Sequence, residues 1–194
     1  MAEFASFFRA FLAGPARIGS VAPSSPALAR AMVAYADLRP GQVVVELGAG
    51  TGPFTRALAQ VPGISLIALE PDPNLARLAR AAAPGVAVEE RYAQDLPEIL
   101  RRHGHDGCDR VVSGLPFAGW SSDLQRAVFD AIGVALRPGG RMVTFTYVHS
   151  PWLPAGRRAR ALLRERFERV EMSPIVWSNL PPAFVYVCDR ASPG

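Results

Sequence analysis

The chain has 194 residues, of which 49% are hydrophobic and 20% charged, and its formal net charge is +4. This length and balance predict one globular domain with a sizeable core and exclude a disordered chain. We expect neither a cleaved signal peptide nor a membrane span, because no run approaches the ~18–20 apolar residues that cross a bilayer. Two cysteines, Cys108 and Cys188, and three histidines predict no metal site and no disulfide framework, so a reducing cytoplasm is expected.

An aromatic stripe at helical spacing occupies the start of the chain and consists of Phe4, Phe7, Phe8, Phe11 and Leu12. It predicts an amphipathic helical arm over residues 1–23. The stripe fits either a membrane interface or packing against the protein's own core, and its spacing does not separate the two. Residues 24–194 are predicted to form one α/β domain.

Apolar runs alternate with helix-period segments through that domain, which predicts a parallel sheet covered by helices. Strands are predicted at residues 42–47, 64–70, 86–91, 109–114, 141–147, 167–173 and 183–188. Helices are predicted at residues 24–36, 53–60, 73–82, 95–102, 122–136 and 156–165. Ser25 is the predicted N-cap of the first helix. A turn at residues 137–140 is expected before the fifth strand, and the last two strands are expected to form an antiparallel hairpin.

The strongest functional signal lies between Val43 and Phe54. Here a buried strand leads into Glu46, followed by glycines at positions 48, 50 and 52 and then by a helix. This arrangement predicts a cofactor pocket at the carboxyl end of a parallel strand, where glycine lets the backbone approach a ligand. The dinucleotide spacing G-x-G-x-x-G is not met, because its third glycine would fall at Pro53.

A second acidic residue supports the same pocket. Glu70 ends the next apolar run, 24 positions after Glu46. That is about where a nucleotide site in an α/β sheet needs a carboxylate to accept both ribose hydroxyls. The sequence therefore predicts a ligand with a ribose.

The pattern Glu46-x-Gly48-x-Gly50-x-Gly52 resembles motif I of class I S-adenosylmethionine-dependent methyltransferases. The resemblance implies S-adenosylmethionine as the cofactor and a Rossmann-like fold, with a mostly parallel seven-stranded sheet that ends in an antiparallel hairpin. The cofactor-binding residues that it implies are Glu46, Gly48, Gly50, Thr51, Gly52, Glu70, Pro71, Ala93, Gln94 and Ser113. Many relatives carry Gly-Asp-Ala after the third strand, whereas this chain has Arg91-Tyr92-Ala93, so Ala93 and Gln94 are expected to hold the adenine.

The segment from Ser113 to Phe117 follows the fourth strand, where amine methyltransferases line the acceptor pocket. Enzymes that methylate amino groups of nucleic acids carry Asn at the position of Gly114. The proline and the aromatic residue of their motif remain here, as Pro116 and Phe117. The sequence therefore predicts an acceptor pocket without the amide that grips a base.

Several longer segments resemble the soluble bacterial phospholipid N-methyltransferases. These are Arg17 to Ser25, Val45 to Gly52, Val112 to Phe117, Phe145 to Tyr147 and Val176 to Tyr186. The resemblance covers nearly the whole chain and implies stepwise methylation of the amine of phosphatidylethanolamine. It further implies a cytoplasmic enzyme at the inner face of the cytoplasmic membrane.

In that scheme Tyr147 orients the amine and His149 is the alternative proton acceptor. The implied substrate-binding residues are Arg17, Ser20, Ser24, Leu115, Pro116, Phe117, Trp177 and Asn179. The first three would hold the lipid phosphate. The alternative for the Arg17 to Ser25 segment is a structural one, in which it only caps the N-terminus of the first helix and binds no phosphate.

A run of arginines late in the chain predicts reversible, peripheral binding to an anionic membrane surface. It comprises Arg157, Arg158, Arg160, Arg164, Arg166 and Arg169, and three glutamates interrupt it, so a solvated helix face is the alternative. The expected partners are a phospholipid substrate and that membrane surface. No nucleic acid, no metal and no self-association are expected.

Three other functions stay open on the sequence. One is methylation of another amino lipid, such as an ornithine lipid. A second is N6-methylation of adenine in RNA, which suits the basic charge and the fold but not Gly114. A third is a membrane-binding protein with a degenerate cofactor fold, against which the intact acidic and glycine residues stand.

Overall fold

The computed structural model describes residues 24–192, so the predicted arm and two of the three predicted phosphate ligands, Arg17 and Ser20, lie outside the described residues. Helices α1 to α6 span Pro26–Ala36, Pro53–Leu58, Pro73–Ala82, Leu96–Arg102, Ser122–Ala135 and Pro154–Arg166. Strands β1 to β7 span Val43–Leu47, Ser65–Leu69, Ala87–Glu89, Cys108–Ser113, Leu136–Tyr147, Arg169–Met172 and Ala183–Asp189. Short 3-10 turns occupy Ala93–Asp95, Phe117–Gly119 and Ser150–Trp152.

These strands form one sheet in the order β3-β2-β1-β4-β5-β7-β6. Strands β1 to β5 pair in parallel, whereas β7 runs antiparallel to both β5 and β6. The predicted fold class is confirmed, including the C-terminal hairpin. Because the strand order reverses between β1 and β4, their carboxyl ends open a crevice for a ligand.

The predicted turn at residues 137–140 is wrong in one respect, since β5 already begins at Leu136. Leu136 pairs with Cys108, and the register of the β4–β5 ladder then shifts before Arg110 pairs with Arg141. The Pro-Gly-Gly segment therefore bulges within the strand instead of preceding it.

Apolar side chains pack against both faces of the sheet. On one face, β-strand valines meet α1 and α2 through Leu28, Met32, Phe54 and Leu58. On the same face, α3 packs on β2 and β3 through small alanines, and α4, α5 and α6 cover the other face. This sandwich leaves the carboxyl ends of β1, β4 and β5 open for a site. Within residues 24–192, no helix has the length and hydropathy to cross a membrane.

The start of α1 is held by two side chains. The Ser25 hydroxyl accepts the Leu28 N–H at 3.2 Å, which confirms the predicted N-cap. The buried side chain of Asn179 accepts the Ser25 N–H at 3.0 Å and donates to the Pro181 carbonyl at 2.7 Å. Asn179 thereby ties the loop between β6 and β7 to α1 and fixes the position of Ser24 beside the crevice.

Candidate functional site

A cavity of about 430 Å³ opens at the carboxyl ends of β1, β4 and β5. Its lining joins the glycine loop, Glu70, the segment after β4, the end of β5 and the start of α6. Of the predicted site residues, the lining contains Ser24, Gly48, Gly50, Thr51, Glu70, Leu115, Pro116, Phe117, Tyr147 and His149. The structure therefore brings four of the ten expected cofactor residues into one space with the expected acceptor segment, whereas Glu46 and Gly52 lie behind the lining.

The glycines of the loop have different structural tasks. Gly50 has a φ of +57°, and a Cβ atom there would meet no atom within 4 Å, so its backbone faces open cavity. A Cβ on Gly52 would lie 2.7 Å from the Cβ of Ala82 and 3.0 Å from the Cα of Ala79. Gly50 thus leaves room for a ligand, whereas Gly52 lets α2 begin against α3.

Glu70 closes the side of the cavity beyond the loop. One carboxylate oxygen accepts the Gly50 N–H at 2.8 Å, and the other accepts the Asp72 N–H at 3.1 Å. Burial raises the pKa of Glu70, and these two backbone donors oppose the shift. Each oxygen keeps a further acceptor site, which matches the two hydroxyls of a ribose.

Glu46 lies at the end of β1, two residues before the loop, and is fully buried. Neither of its carboxyl oxygens makes a hydrogen bond of good geometry within residues 24–192, although the Thr55 hydroxyl and N–H lie close by. Burial is the main cause that raises the pKa of Glu46 to about 7; these two Thr55 groups oppose the shift and the charge of Glu70 adds to it. A buried carboxyl so weakly hydrogen-bonded favours a counterpart, either a proton or a cation.

This geometry fits a cationic nucleoside and suits a pyrophosphate poorly. Glu46 and Glu70 together place negative charge under and beside a loop whose backbone faces the cavity. A dinucleotide would bring its phosphates to that loop, where the carboxylates would repel them. S-adenosylmethionine instead carries an ammonium and a sulfonium, together with a ribose for Glu70. Glu46, the glycine loop and Glu70 are therefore the residues that would hold it.

The segment after β4 forms the opposite wall. A Cβ atom on Gly114 would lie 2.8 Å from the Gly48 carbonyl oxygen and 3.5 Å from the Phe54 ring. The asparagine of nucleic-acid enzymes has no space here, because the two loops are in direct contact. Leu115 in turn packs against Gly48, where an added Cβ would approach its Cδ2 to 2.7 Å.

Aromatic rings form a continuous wall along the cavity on the α1–α2 face. Phe54 contacts Phe145 with ring centroids 5.7 Å apart, and Phe145 contacts Tyr147 at the same distance. Tyr147 stacks on His149 at 5.9 Å, with the rings only 8° from parallel. Burial raises the pKa of Tyr147, so its hydroxyl stays protonated near neutral pH. His149 lies exposed at the mouth.

Other predicted residues lie outside the lining. The exposed side chain of Trp177 does not line the cavity, and Asn179 uses both ends of its amide on backbone groups. Ser113 accepts the Leu115 N–H at 3.3 Å and supports the acceptor segment from below. Pro71, Ala93 and Gln94 are also absent from the lining, although the Gln94 Oε1 atom is buried without a partner. Adenine contacts at residues 93 and 94 remain a prediction.

Two residues that the sequence does not single out contribute to the site. Gln125 of α5 is fully buried, and its Nε2 donates to the Phe117 carbonyl at 2.7 Å and to the Ala155 carbonyl at 3.1 Å. Thr144 of β5 lines the cavity with a buried, unpartnered hydroxyl. A glutamine on an otherwise apolar helix face was the available signal for the first. For Thr144 the sequence offers none, because threonine is common in strands.

No group of three or more metal-ligating side chains comes together in the stretch from residue 24 to residue 192. The two cysteines lie buried and unpaired.

A family model described as a methyltransferase domain matches residues 44–140, from β1 into β5. The chain is also 36% identical, over 97% of its length and 96% of the relative's, to the ornithine lipid N-methyltransferase of Singulisphaera acidiphila. The chain belongs to the class I S-adenosylmethionine-dependent methyltransferases. A protein-L-isoaspartate O-methyltransferase of Methylorubrum populi is 34% identical over 90% of this methyltransferase and 76% of its own length.

Solved structures place the methyltransferase in the same fold. TrmN from Thermus thermophilus superposes with a TM-score of 0.64 at 22% identity, covering 85% of this chain and 48% of its own. Aeropyrum pernix fibrillarin, solved with natively bound S-adenosyl-L-methionine, superposes with a TM-score of 0.60 at 17% identity, over 84% and 76% of the two chains. The predicted cofactor, S-adenosylmethionine, is thus confirmed through the family.

Two glycine substitutions separate ligand space from packing. We expect Gly50→Ala to weaken binding of S-adenosylhomocysteine at least tenfold while costing about 1–2 kcal/mol of unfolding free energy, the strain of a left-handed alanine. Gly52→Ala adds a clash with α3 to the same strain, and we expect the larger loss of stability. Calorimetric titration and denaturant unfolding measure the two effects. Equal stability losses in the two variants would contradict this division of tasks.

Glu46 makes stability of the cofactor-free protein depend on pH. Its pKa is about 7 in the folded protein against an ordinary 4.5, so the folded state holds the proton more tightly. Stability is therefore expected to fall as pH rises from about 4.5 through about 7. Glu46→Gln should flatten that slope, and the exposed Glu98→Gln should not. Denaturant unfolding at pH 5, 6, 7 and 8 provides the measurement, and an unchanged slope in Glu46→Gln would refute the assignment.

Proposed function

We propose that this methyltransferase N-methylates the head-group amine of a membrane amino lipid. The observation that carries the proposal is the extent of its similarity to the ornithine lipid N-methyltransferase, which covers 97% of the chain. That similarity therefore reaches past the cofactor half into α6 and β7, where the acceptor side is built. Ornithine lipid and phosphatidylethanolamine are the two acceptors to compare, since both present a primary amine.

The cofactor, when bound, supplies an electrophilic methyl group on a sulfonium. The chain's own residues then have three tasks: to align the amine, to take its proton and to tolerate the charge that builds on nitrogen. Holding the amine nitrogen roughly 3–3.5 Å from the methyl carbon lowers the activation barrier by several kcal/mol. Gly114 lets the segment after β4 pack directly on the glycine loop, which brings the acceptor wall close to the cofactor loop.

The aromatic wall suits an amine that becomes more alkylated. Tyr147 and Phe145 present rings to the cavity, and ring faces attract methylated ammonium groups. His149, stacked on Tyr147 at the mouth, accepts the proton of the ammonium before transfer. Tyr147 acts as a hydrogen-bonding group and not as the base, because its raised pKa keeps the hydroxyl protonated.

A membrane surface is the proposed setting for the reaction. Trp152 and Trp177 are each 72% exposed, and Leu180 is 78% exposed. These residues belong to neighbouring segments, because the Val148 N–H donates to the Pro182 carbonyl at 3.0 Å. Exposed indoles around a cavity mouth favour a lipid interface. Arg157 and Arg158 lie exposed beside them, without an ion pair in the described part of the chain.

The direct test is a radiolabelled methyl transfer assay in mixed anionic vesicles. We expect label to enter the lipid phase with ornithine lipid, with phosphatidylethanolamine or with both, and their kcat/KM ratio names the acceptor. Structured RNA and an L-isoaspartyl peptide are the parallel acceptors. Label in either of these, with none in lipid, would overturn the proposal and leave the family assignment intact.

The proton acceptor is tested by His149→Ala. We expect kcat to fall about 10²-fold at pH 7, with unchanged affinity for S-adenosylhomocysteine. Raising the pH should recover much of the loss, because more of the amine is then neutral without help. His105→Ala, which alters a histidine outside the cavity, is the matched control. A uniform loss across the pH range would argue against a base at His149.

Membrane binding is tested by sedimentation with vesicles. We expect Trp152→Ala and Trp177→Ala each to lower partitioning into anionic vesicles by roughly tenfold, since each removes an apolar group from the interface. Added salt should weaken binding further by screening the arginines. Val134→Ala removes an equally exposed apolar residue on α5 and should change nothing. Equal effects at all three positions would refute a specific membrane face.

A further inference from the structure

The cavity continues past the aromatic wall to the other face of the sheet. We define the annex as the part lined by Phe117, Thr144, Gly156, Ala159, Leu163 and Tyr186. The first of these lies in the segment after β4, the next on β5, three on α6 and the last on β7. The aromatic wall faces α1 and α2, whereas the annex lies under α6.

Strand register gives the distance of the annex from the glycine loop. Leu47 pairs with Ser113, Ser113 with Thr144, and Thr144 with Tyr186, so these four residues form one row across the sheet. Three strand steps of about 4.8 Å put Tyr186 roughly 14 Å from the strand that carries the loop. The annex therefore lies beyond the position where the cofactor meets the acceptor amine.

Small residues on α6 create the space. Gly156, Ala159 and Leu163 follow one another at three- and four-residue steps, so they form one stripe that faces the sheet. Such a stripe normally carries large side chains, because protein interiors leave few voids. Gly156 also allows the helix start to press on the preceding turn, since a Cβ there would lie 1.9 Å from the Ser150 carbonyl oxygen.

The annex is chemically suited to hydrocarbon. Its side chains are buried, and none of its residues within the described chain is charged. A nucleobase would leave most of its polar edge unpaired there, at a cost for each buried group. The Thr144 hydroxyl is fully buried without a hydrogen-bond partner and lies at the boundary with the aromatic wall. A single hydrogen-bonding group at that point suits the ester or amide carbonyl that joins a head group to its chain.

The annex also reaches the surface that carries the exposed indoles. Leu153 lines the cavity, is 44% exposed and directly follows Trp152. A chain that leaves a bilayer at this face could therefore enter the annex without its methylene groups crossing water.

We propose that the annex binds a hydrocarbon chain of the substrate, with the Thr144 hydroxyl holding the polar group where the chain begins. That the chain belongs to an amino lipid rests on the proposed function; that the annex takes hydrocarbon does not. The substrate class is thereby narrowed to amines that carry an aliphatic tail, and a free amine such as ethanolamine binds weakly.

A series of linear alkanols tests the annex without any methyl transfer. Calorimetry on the full chain saturated with S-adenosylhomocysteine should give about fourfold tighter binding for each added methylene, up to a length at which the gain stops. Ala159→Phe fills the annex and should shorten that limiting length. Ala161→Phe, on the exposed side of the same helix, should leave it unchanged. Leu163→Ala enlarges the annex and should extend the limit, which covers the case that Ala159→Phe does not fold.

Absence of alkanol binding would overturn the inference. So would an affinity that rises with chain length without a limit and is unchanged in both Ala159→Phe and Leu163→Ala. Its failure is distinguishable from that of the proposed function. If lipid is methylated but alkanol affinity does not change with chain length, only the proposal about the annex is refuted. A length limit set by α6, with no label in any lipid, would refute the amino-lipid proposal alone.

Discussion

The site depends on two carboxyl groups that the fold buries at the ends of adjacent strands. Glu46 makes no hydrogen bond of good geometry within the described residues, and Glu70 is held only by backbone N–H groups. Burial removes the water that would stabilise the charged forms of these two carboxyl groups, and the pKa of each is therefore raised. The glycine loop lies over these two carboxyl groups, whose charged forms burial disfavours. A cationic ligand would stabilise the ionised carboxylates. The two carboxyl groups therefore favour a cationic cofactor over an anionic one.

The same constraint explains why sequence reasoning worked well for the cofactor half. Motif I is local: Glu46, the glycines and the following helix are continuous in the chain, and a parallel sheet brings Glu70 beside them by topology alone. Strand and helix positions followed from hydrophobic periodicity for a similar reason. Most predicted boundaries differ from the structure by one or two residues; the larger error, at the start of β5, depends on a register shift against β4 that the periodicity of a single strand cannot reveal.

The acceptor half could be predicted only in outline. Trp177 and Asn179 were candidates because the segment from Val176 to Tyr186 resembles the phospholipid N-methyltransferases. Asn179 instead joins α1 to the hairpin, an interaction between residues 154 positions apart. Gln125 and Thr144 have their roles through contacts with the segment after β4 and with the cavity, and such contacts exist only in three dimensions. Long-range packing, not local pattern, builds this half of the site.

The contact between Gly48 and Gly114 has a consequence for how such an enzyme can diversify. Because the cofactor loop and the segment after β4 touch backbone to backbone, a side chain introduced at either position disturbs both at once. New acceptor chemistry therefore has little freedom to arise there by single substitutions. The residues of α6 meet the cavity from the side, where a change in side-chain size does not touch the loop. Single substitutions on α6 can thus reshape the cavity, while the contact between the two loops stays fixed.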